Sequence, residues 1–244
     1  MATTAFVYGV LSYVVFLISF LYAIGFVGNL VVPKAIDTGP AGPVAQALLV
    51  DAVLLGLFAL QHSVMPRPGF KRWWTRFVPQ SVERSTYVAI SSLLLLLLFW
   101  QWQPILGVVW QVENRAGVVV LEALFWLGWA LVLYSSFAID HFDLFGLRQV
   151  WLRFRGREYV AVPFREPLLY QIVRHPLLLG FLIAFWSTSS MTLGHLLFSV
   201  ATTGYIFIGI LLEERDLAMA HGEAYLRYRR EVRMLVPLRR QKGR

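Results

Sequence analysis

Residues 5–32 read AFVYGVLSYVVFLISFLYAIGFVGNLVV and carry no charged side chain. A helix needs roughly 20 apolar residues to cross the hydrocarbon of a bilayer. This run meets that length and exceeds the apolar core of a secretory signal, whose basic start and small-residue cleavage site it also lacks. It reads as a retained span. Pro33 and the GPAGP stretch at 39–43 close it and make a short loop.

Further spans follow the first. Residues 44–62 are apolar around Asp51, residues 86–103 around the run Leu93–Leu98, and residues 117–139 after Glu122 near their start. A long polar connection occupies 140–175. Residues 176–212 are apolar again, interrupted at Gly194 and His195; that is too long for one crossing and just enough for a tight helical hairpin. Of the whole chain 58% is hydrophobic and only 15% charged, against about 25% charged in a soluble domain. The expected fold is an all-α integral membrane protein with about five transmembrane elements, the last a helical hairpin. Residues 1–139 form the N-terminal transmembrane helices, and 140–244 form a second region ending in a basic tail.

The charges orient these spans. Of the 22 Lys and Arg residues, five lie in 63–85, six in 140–175 and nine in 213–244; only Lys34 and Arg115 fall elsewhere. Positive residues mark cytoplasmic loops, so both basic loops and the tail are expected inside. A hairpin at 176–212 keeps both its ends on that side. The net charge of +8 sits beside apolar spans, which fits anionic lipid headgroups and argues against a nucleic-acid partner. Cysteine is absent, which excludes disulfides, thiolate metal sites and a Cys nucleophile. The five His are scattered without ligand spacing, so no metal site is expected.

Two polar clusters exceed what an inert anchor needs. In Arg174-His175-Pro176, followed by Gly180, Pro176 suits the first turn of a helix and His175 then lies at its N-terminus, where free N–H groups favour an anion. Gly180 lets a ligand or another backbone approach closely. Glu213-Glu214 directly follows an apolar span. On the residues alone the first is equally a basic helix cap at the membrane surface, and the second equally a set of salt bridges to nearby Arg.

Arg174-His175-Pro176, Gly180, the apolar hairpin, Glu213-Glu214 with Leu217, then Gly222, Tyr225, Tyr228 and Pro237 together resemble the isoprenylcysteine carboxyl methyltransferase superfamily over roughly residues 140–240. The resemblance implies a cytoplasmic pocket for S-adenosyl-L-methionine built by the C-terminal third. Carried over position by position, it implies that Tyr170, His175, Pro176, Leu177, Leu178 and Glu213 contact the cofactor, with Arg174 near its carboxylate and 162–165 on the adenine side. The isoprenylcysteine enzymes place a substrate-binding Arg four residues before the first Glu; here that position is Gly209, which argues against a carboxylate-bearing acceptor. A narrower resemblance rests on the strings DHFDLFGLRQVW at 140–151 and QHSVM at 61–65. These are similar to the bacterial methanethiol S-methyltransferase family over nearly the whole chain. That resemblance implies methyl transfer to methanethiol, a small volatile thiol, in the bacterial inner membrane.

A protonated thiol is a poor nucleophile, so a base is expected. His141 leads, with Asp140 and Asp143 close in sequence, and His62 is second; near a helix C-terminus such a His also has a purely structural reading. Gln149 and Arg153 are candidate cofactor contacts. Asp51 and Glu122 are expected to snorkel to the outer interface, and His195 and His221 to be structural. The alternatives are a methyltransferase acting on a prenylated or lipid acceptor, and a membrane reductase of the sterol type.

Overall fold

The computed structural model of the protein describes residues 1–163 and 165–236. Pro237, the basic residues from Arg239 onward and Phe164 of the 162–165 stretch lie outside the described residues. In chain order the elements are α1 (Ala2–Gly28), α2 (Val44–Val64), α3 (Pro68–Trp74), α4 (Gln80–Gln101), β1 (Val108–Gln111), α5 (Arg115–Ile139), α6 (His141–Leu144), α7 (Leu147–Phe154), a 3-10 turn (Leu168–Gln171), α8 (Pro176–Trp186), β2 (Ser190–Thr192), α9 (Leu193–His221) and α10 (Glu223–Glu231). Five of them, α1, α2, α4, α5 and α9, are long and apolar enough to cross a membrane. The chain is a helical, multi-pass membrane protein with one short two-stranded antiparallel ribbon, β1–β2.

The helix α1 shows how a bilayer inverts the usual pattern. Val7, Leu11, Val14, Ile18 and Leu21 fall on one exposed face, while Gly9, Ser12, Ser19 and Gly25 are buried on another. In water that would be inside out; in lipid the large apolar side chains face the solvent and small residues let helices approach. The first span ends earlier than its apolar run. Asn29 takes the left-handed conformation (φ 50°) and its N–H closes on Gly25, a conformation that Asn tolerates better than most residues. Residues 30–32 therefore leave the helix despite being apolar.

Two compact units divide the chain. The first comprises 1–111, 141–161 and 190–198; the second comprises 112–140, 162–189 and 199–244. In the first unit α4 packs on α1 and α2, and α7 packs on α1 and α4. At one end the buried Trp102 donates from Nε1 to the Ile36 carbonyl (3.1 Å) and meets Phe26 and Phe198 edge to face. Asp51 does not snorkel: it is fully buried, and its Oδ1 accepts the Gln103 N–H at 2.9 Å. It caps the chain as it leaves α4, because a buried backbone N–H needs an acceptor.

In the second unit α5 and α8 are the principal pair. A Cβ at Gly128 would lie 2.7 Å from the Gly180 carbonyl, and one at Gly180 would lie 2.7 Å from the Gly128 carbonyl. The two backbones touch, so Gly180 serves helix packing. The apolar stretch after Pro176 breaks at 187–192, and Gly194 and His195 lie inside the first turn of α9. The reason is Thr192, whose Oγ1 accepts the His195 N–H at 3.0 Å and opens the helix. At 1.5 Å per residue α8 is about 16 Å long and α9 about 43 Å, against a hydrocarbon thickness of about 30 Å. The two helices are therefore unequal in length. Glu213 and Glu214 continue the same helix beyond its apolar run, which ends only at His221.

Candidate functional site

Four ionisable side chains gather in the second unit. Pro176 occupies the first turn of α8 and His175 its N-cap position. The preceding strand-like segment is held by the chain beyond α10: the Arg174 N–H donates to the Arg233 carbonyl (2.8 Å), the His175 N–H donates to the Met234 carbonyl (3.2 Å), and Val173 bridges Arg233 in parallel. These bonds fix the backbone from which both side chains reach α9. Arg174 Nε and Nη2 each lie 2.7 Å from Glu214 Oε1, and Nη1 donates to the carbonyls of Arg229 and Val232. His175 Nε2 lies 3.1 Å from Glu214 Oε1 and Nδ1 lies 3.5 Å from Glu213 Oε2.

The two adjacent acids are unlike. The Glu214 side chain is 9% exposed and sits against both cations, whereas the Glu213 side chain is 53% exposed. Burial pulls the His175 pKa down, but the hydrogen bond and charge of Glu213, joined by those of Glu214, outweigh it and leave the pKa raised. Around them stand three tyrosines. Tyr228 Oη donates to the Tyr170 carbonyl at 2.6 Å. Burial raises the hydroxyl pKa of Tyr170 and Tyr228, and burial with the Glu214 charge pushes that of Tyr225 up to about 12. All three stay protonated at any pH where the protein works. Leu178 packs on the core of Ile206, Ile210 and Leu235, and Leu177 is half-buried.

The first unit holds a different kind of cluster. His141 opens α6 and is buried; its Nε2 lies 2.7 Å from Tyr13 Oη, and its ring meets those of Tyr13, Phe16 and Phe145 edge-on. His62 lies on α2, with Tyr87 Oη 2.9 Å from Nδ1 and 3.0 Å from Nε2, and with Phe58 stacked on its ring. Ser91 Oγ links this histidine to Gln61, lying 3.3 Å from His62 Nδ1 and donating to Gln61 Oε1 at 3.0 Å. Both histidines border one apolar cluster: Phe16 and Phe145, stacked at 3.7 Å, pack against Met65, Tyr87 and Val88.

Asp143 is engaged by Arg148 (3.0 Å) and by Tyr159 Oη (3.2 Å). Gln149 is aimed by the turn at Gly146, whose φ of 85° starts α7 and whose backbone lies so close to Ser85 that a Cβ would meet it at 2.7 Å. The Gln149 Nε2 donates to the Asp143 carbonyl at 3.1 Å, and its Oε1 is buried with no hydrogen-bond partner among the described residues. Asp140 lies in the second unit, where it ends α5 with its N–H on the Ser136 carbonyl.

Arg174, His175, Pro176, Leu177, Leu178, Tyr170 and Glu213 are thus gathered in one unit, and His62, His141 and Gln149 in the other. Reading by sequence missed Tyr13 and Tyr87, because a tyrosine inside an apolar run looks like a span residue. It also missed that Glu214 holds Arg174, for which the adjacency of two acids gave no ranking.

Comparison with known proteins gives consistent results. The chain is similar to the methanethiol S-methyltransferase of Mycobacterium tuberculosis, 59% identical over 95% of each chain. It is 52% identical to that of Crocosphaera subtropica, over 96% of this chain and 92% of the relative. A more distant likeness, 29% identity over 72% of this chain and 67% of the relative, is to Nurim of Danio rerio. No family model and no solved structure matches.

Proposed function

The chain belongs to the methanethiol S-methyltransferase family, and on that premise we propose that it moves a methyl group from S-adenosyl-L-methionine to methanethiol, giving dimethyl sulfide. The observation that carries the cofactor assignment is the unequal acid pair. Glu214 is consumed by Arg174 and His175, which leaves Glu213, half-exposed beside the buried network, as the acid presented to a ligand.

The residues suit the cofactor's functional groups. A free amine or the ribose hydroxyls meet Glu213. The first turn of α8 has no side-chain cap, so the N–H groups of Leu177 and Leu178 suit a carboxylate. Pro176 and Tyr170 supply apolar walls. Arg174 acts by fixing Glu214 and adds positive potential. Gln149, with its buried carbonyl, is assigned a hydrogen-bond donor of the bound ligands. When bound, the sulfonium supplies an electrophilic methyl group.

The acceptor's proton must leave, since an ordinary thiol pKa is about 8.5. We assign that proton to His141, with His62 as the alternative and Asp140 as the acid that follows α5. The aromatic surround of His141 excludes water and suits a small apolar thiol. The lopsided Lys and Arg distribution supports a bacterial inner-membrane protein with the 140–244 methyltransferase region facing the cytoplasm.

The test is direct. Purified protein in lipid nanodiscs, given S-adenosyl-L-methionine and methanethiol, should release dimethyl sulfide into the headspace. Cofactor binding without dimethyl sulfide would overturn the acceptor assignment. The Glu213→Ala variant should bind the cofactor at least tenfold more weakly, and unchanged affinity would move the pocket elsewhere.

A further inference from the structure

His175 turns both ring nitrogens to acids, Nδ1 to Glu213 and Nε2 to Glu214. A neutral imidazole has one donor and one acceptor nitrogen, so one lone pair would confront a carboxylate. The imidazolium has two donors and satisfies both. The ring is buried in a network of two cations and two anions, so its charge is held by its partners.

Those partners are not equally fixed. Glu214 stays in place whatever His175 does, because Arg174 grips it from Nε and Nη2 and is itself held by the carbonyls of Arg229 and Val232. Glu213 is half-exposed, and its distance of 3.5 Å to Nδ1 is longer than a charge-assisted hydrogen bond of about 2.8 Å. It is the acid a ligand can draw away.

We propose that cofactor capture at Glu213 expels the His175 proton. The inference rests on the reading above that Glu213 meets the cofactor. As Glu213 turns to the cofactor, His175 loses one of its two anionic partners and gains a neighbour of net positive charge. Both changes disfavour the imidazolium. One N–H bond of the ring breaks, its electron pair stays on nitrogen, and the proton passes to solvent buffer. Arg174 and Arg229 remain charged, Glu214 is held by Arg174, and the Tyr170, Tyr225 and Tyr228 hydroxyls are held protonated by burial. The ordinary histidine pKa of 6.5 is raised in the free protein by Glu213 and Glu214, so at pH 6.5 most of the rings carry the proton to be released.

Calorimetric titration of the full chain in nanodiscs with S-adenosyl-L-methionine tests this. At pH 6.5 the titration is run in phosphate and in Bis-Tris, whose ionisation enthalpies differ. The expected result is release of more than half a proton per cofactor bound, read as unequal heats in the two buffers. The affinity should strengthen by up to about tenfold per pH unit as the pH rises towards the raised pKa of the free ring and level off above it, since the slope of log affinity against pH equals the protons released. His175→Asn should bind with the same heat in both buffers. Glu213→Gln, which keeps the imidazole and removes the acid it trades, should bind more weakly and release much less proton than the wild type; it decides the matter should His175→Asn fail to fold. Wild-type binding with equal heat in both buffers overturns the inference and leaves the cofactor reading standing. Absence of any binding overturns both.

Discussion

His175 and His141 occupy opposite surroundings within one chain. His175 is buried against two carboxylates and an arginine, and its surroundings favour charge. His141 is buried against Tyr13, Phe16 and Phe145, and its surroundings offer rings and a phenol. A buried charge survives only where partners replace its lost hydration. The first setting supplies a carboxylate on each side of the ring, and the second packs its ring among aromatic side chains. A methyl transfer from a cationic donor to a thiol asks for both: fixed charge to recognise the donor, and a dry, apolar place for the acceptor.

The sharpest way to break this contrast is at Glu214. Removing it takes from Arg174 its carboxylate partner and from His175 one of two, and breaking a buried pair costs about 3–5 kcal/mol. Glu214→Ala should therefore lower the thermal midpoint markedly and lose cofactor binding with it, whereas Glu213→Ala should change the midpoint little and affect affinity alone. Equal stability of the two variants would show that the acids do not divide their roles. A smaller effect is expected beneath the charged cluster. Gly180→Ala forces a methyl against the Gly128 carbonyl, and overpacking of this kind costs about 1–3 kcal/mol. The loss should appear as a lower unfolding midpoint, with the double substitution Gly128→Ala, Gly180→Ala no better than either alone.

The aromatic region should respond more mildly. Tyr13→Phe removes the hydrogen bond between a part-buried phenol and His141 and should cost about 1 kcal/mol. If His141 accepts the thiol proton, the variant should lower kcat several-fold while cofactor affinity holds. A change in affinity with kcat intact would assign Tyr13 to the wrong function.

The two regions also differed in how far the sequence disclosed them. The spans were legible because the bilayer imposes a length and an apolar composition on each, and Ala5–Val32 announces both. Their ends were not. Asn29 stops α1 by a backbone conformation that apolarity does not encode, and Thr192, a residue with no hydropathic signal, opens α9. His175 and Glu213 were legible as polar residues beside a membrane, where such types are costly, and the structure brings them to 3.5 Å. The division of labour between Glu213 and Glu214 was not, since it depends on which acid faces Arg174 across 40 residues of chain. Tyr13 was equally hidden, 128 residues from its histidine.

The smallest effect is a slope with pH, and its sign separates the histidines. His175 has a raised pKa in the folded chain. A group of this kind contributes stability fully present below its unfolded pKa of 6.5, and the contribution is lost as pH rises through the folded value. Unfolding followed from pH 6 to 9 in the absence of cofactor should show a shallow decline in stability above 6.5. His175→Asn should flatten it, since Arg174 and Glu214 remain paired across that range. His141→Asn should leave the decline in place, because it leaves His175 and its two carboxylates intact. A decline that follows His141 instead would reverse the assignment of charge-holding and charge-excluding regions.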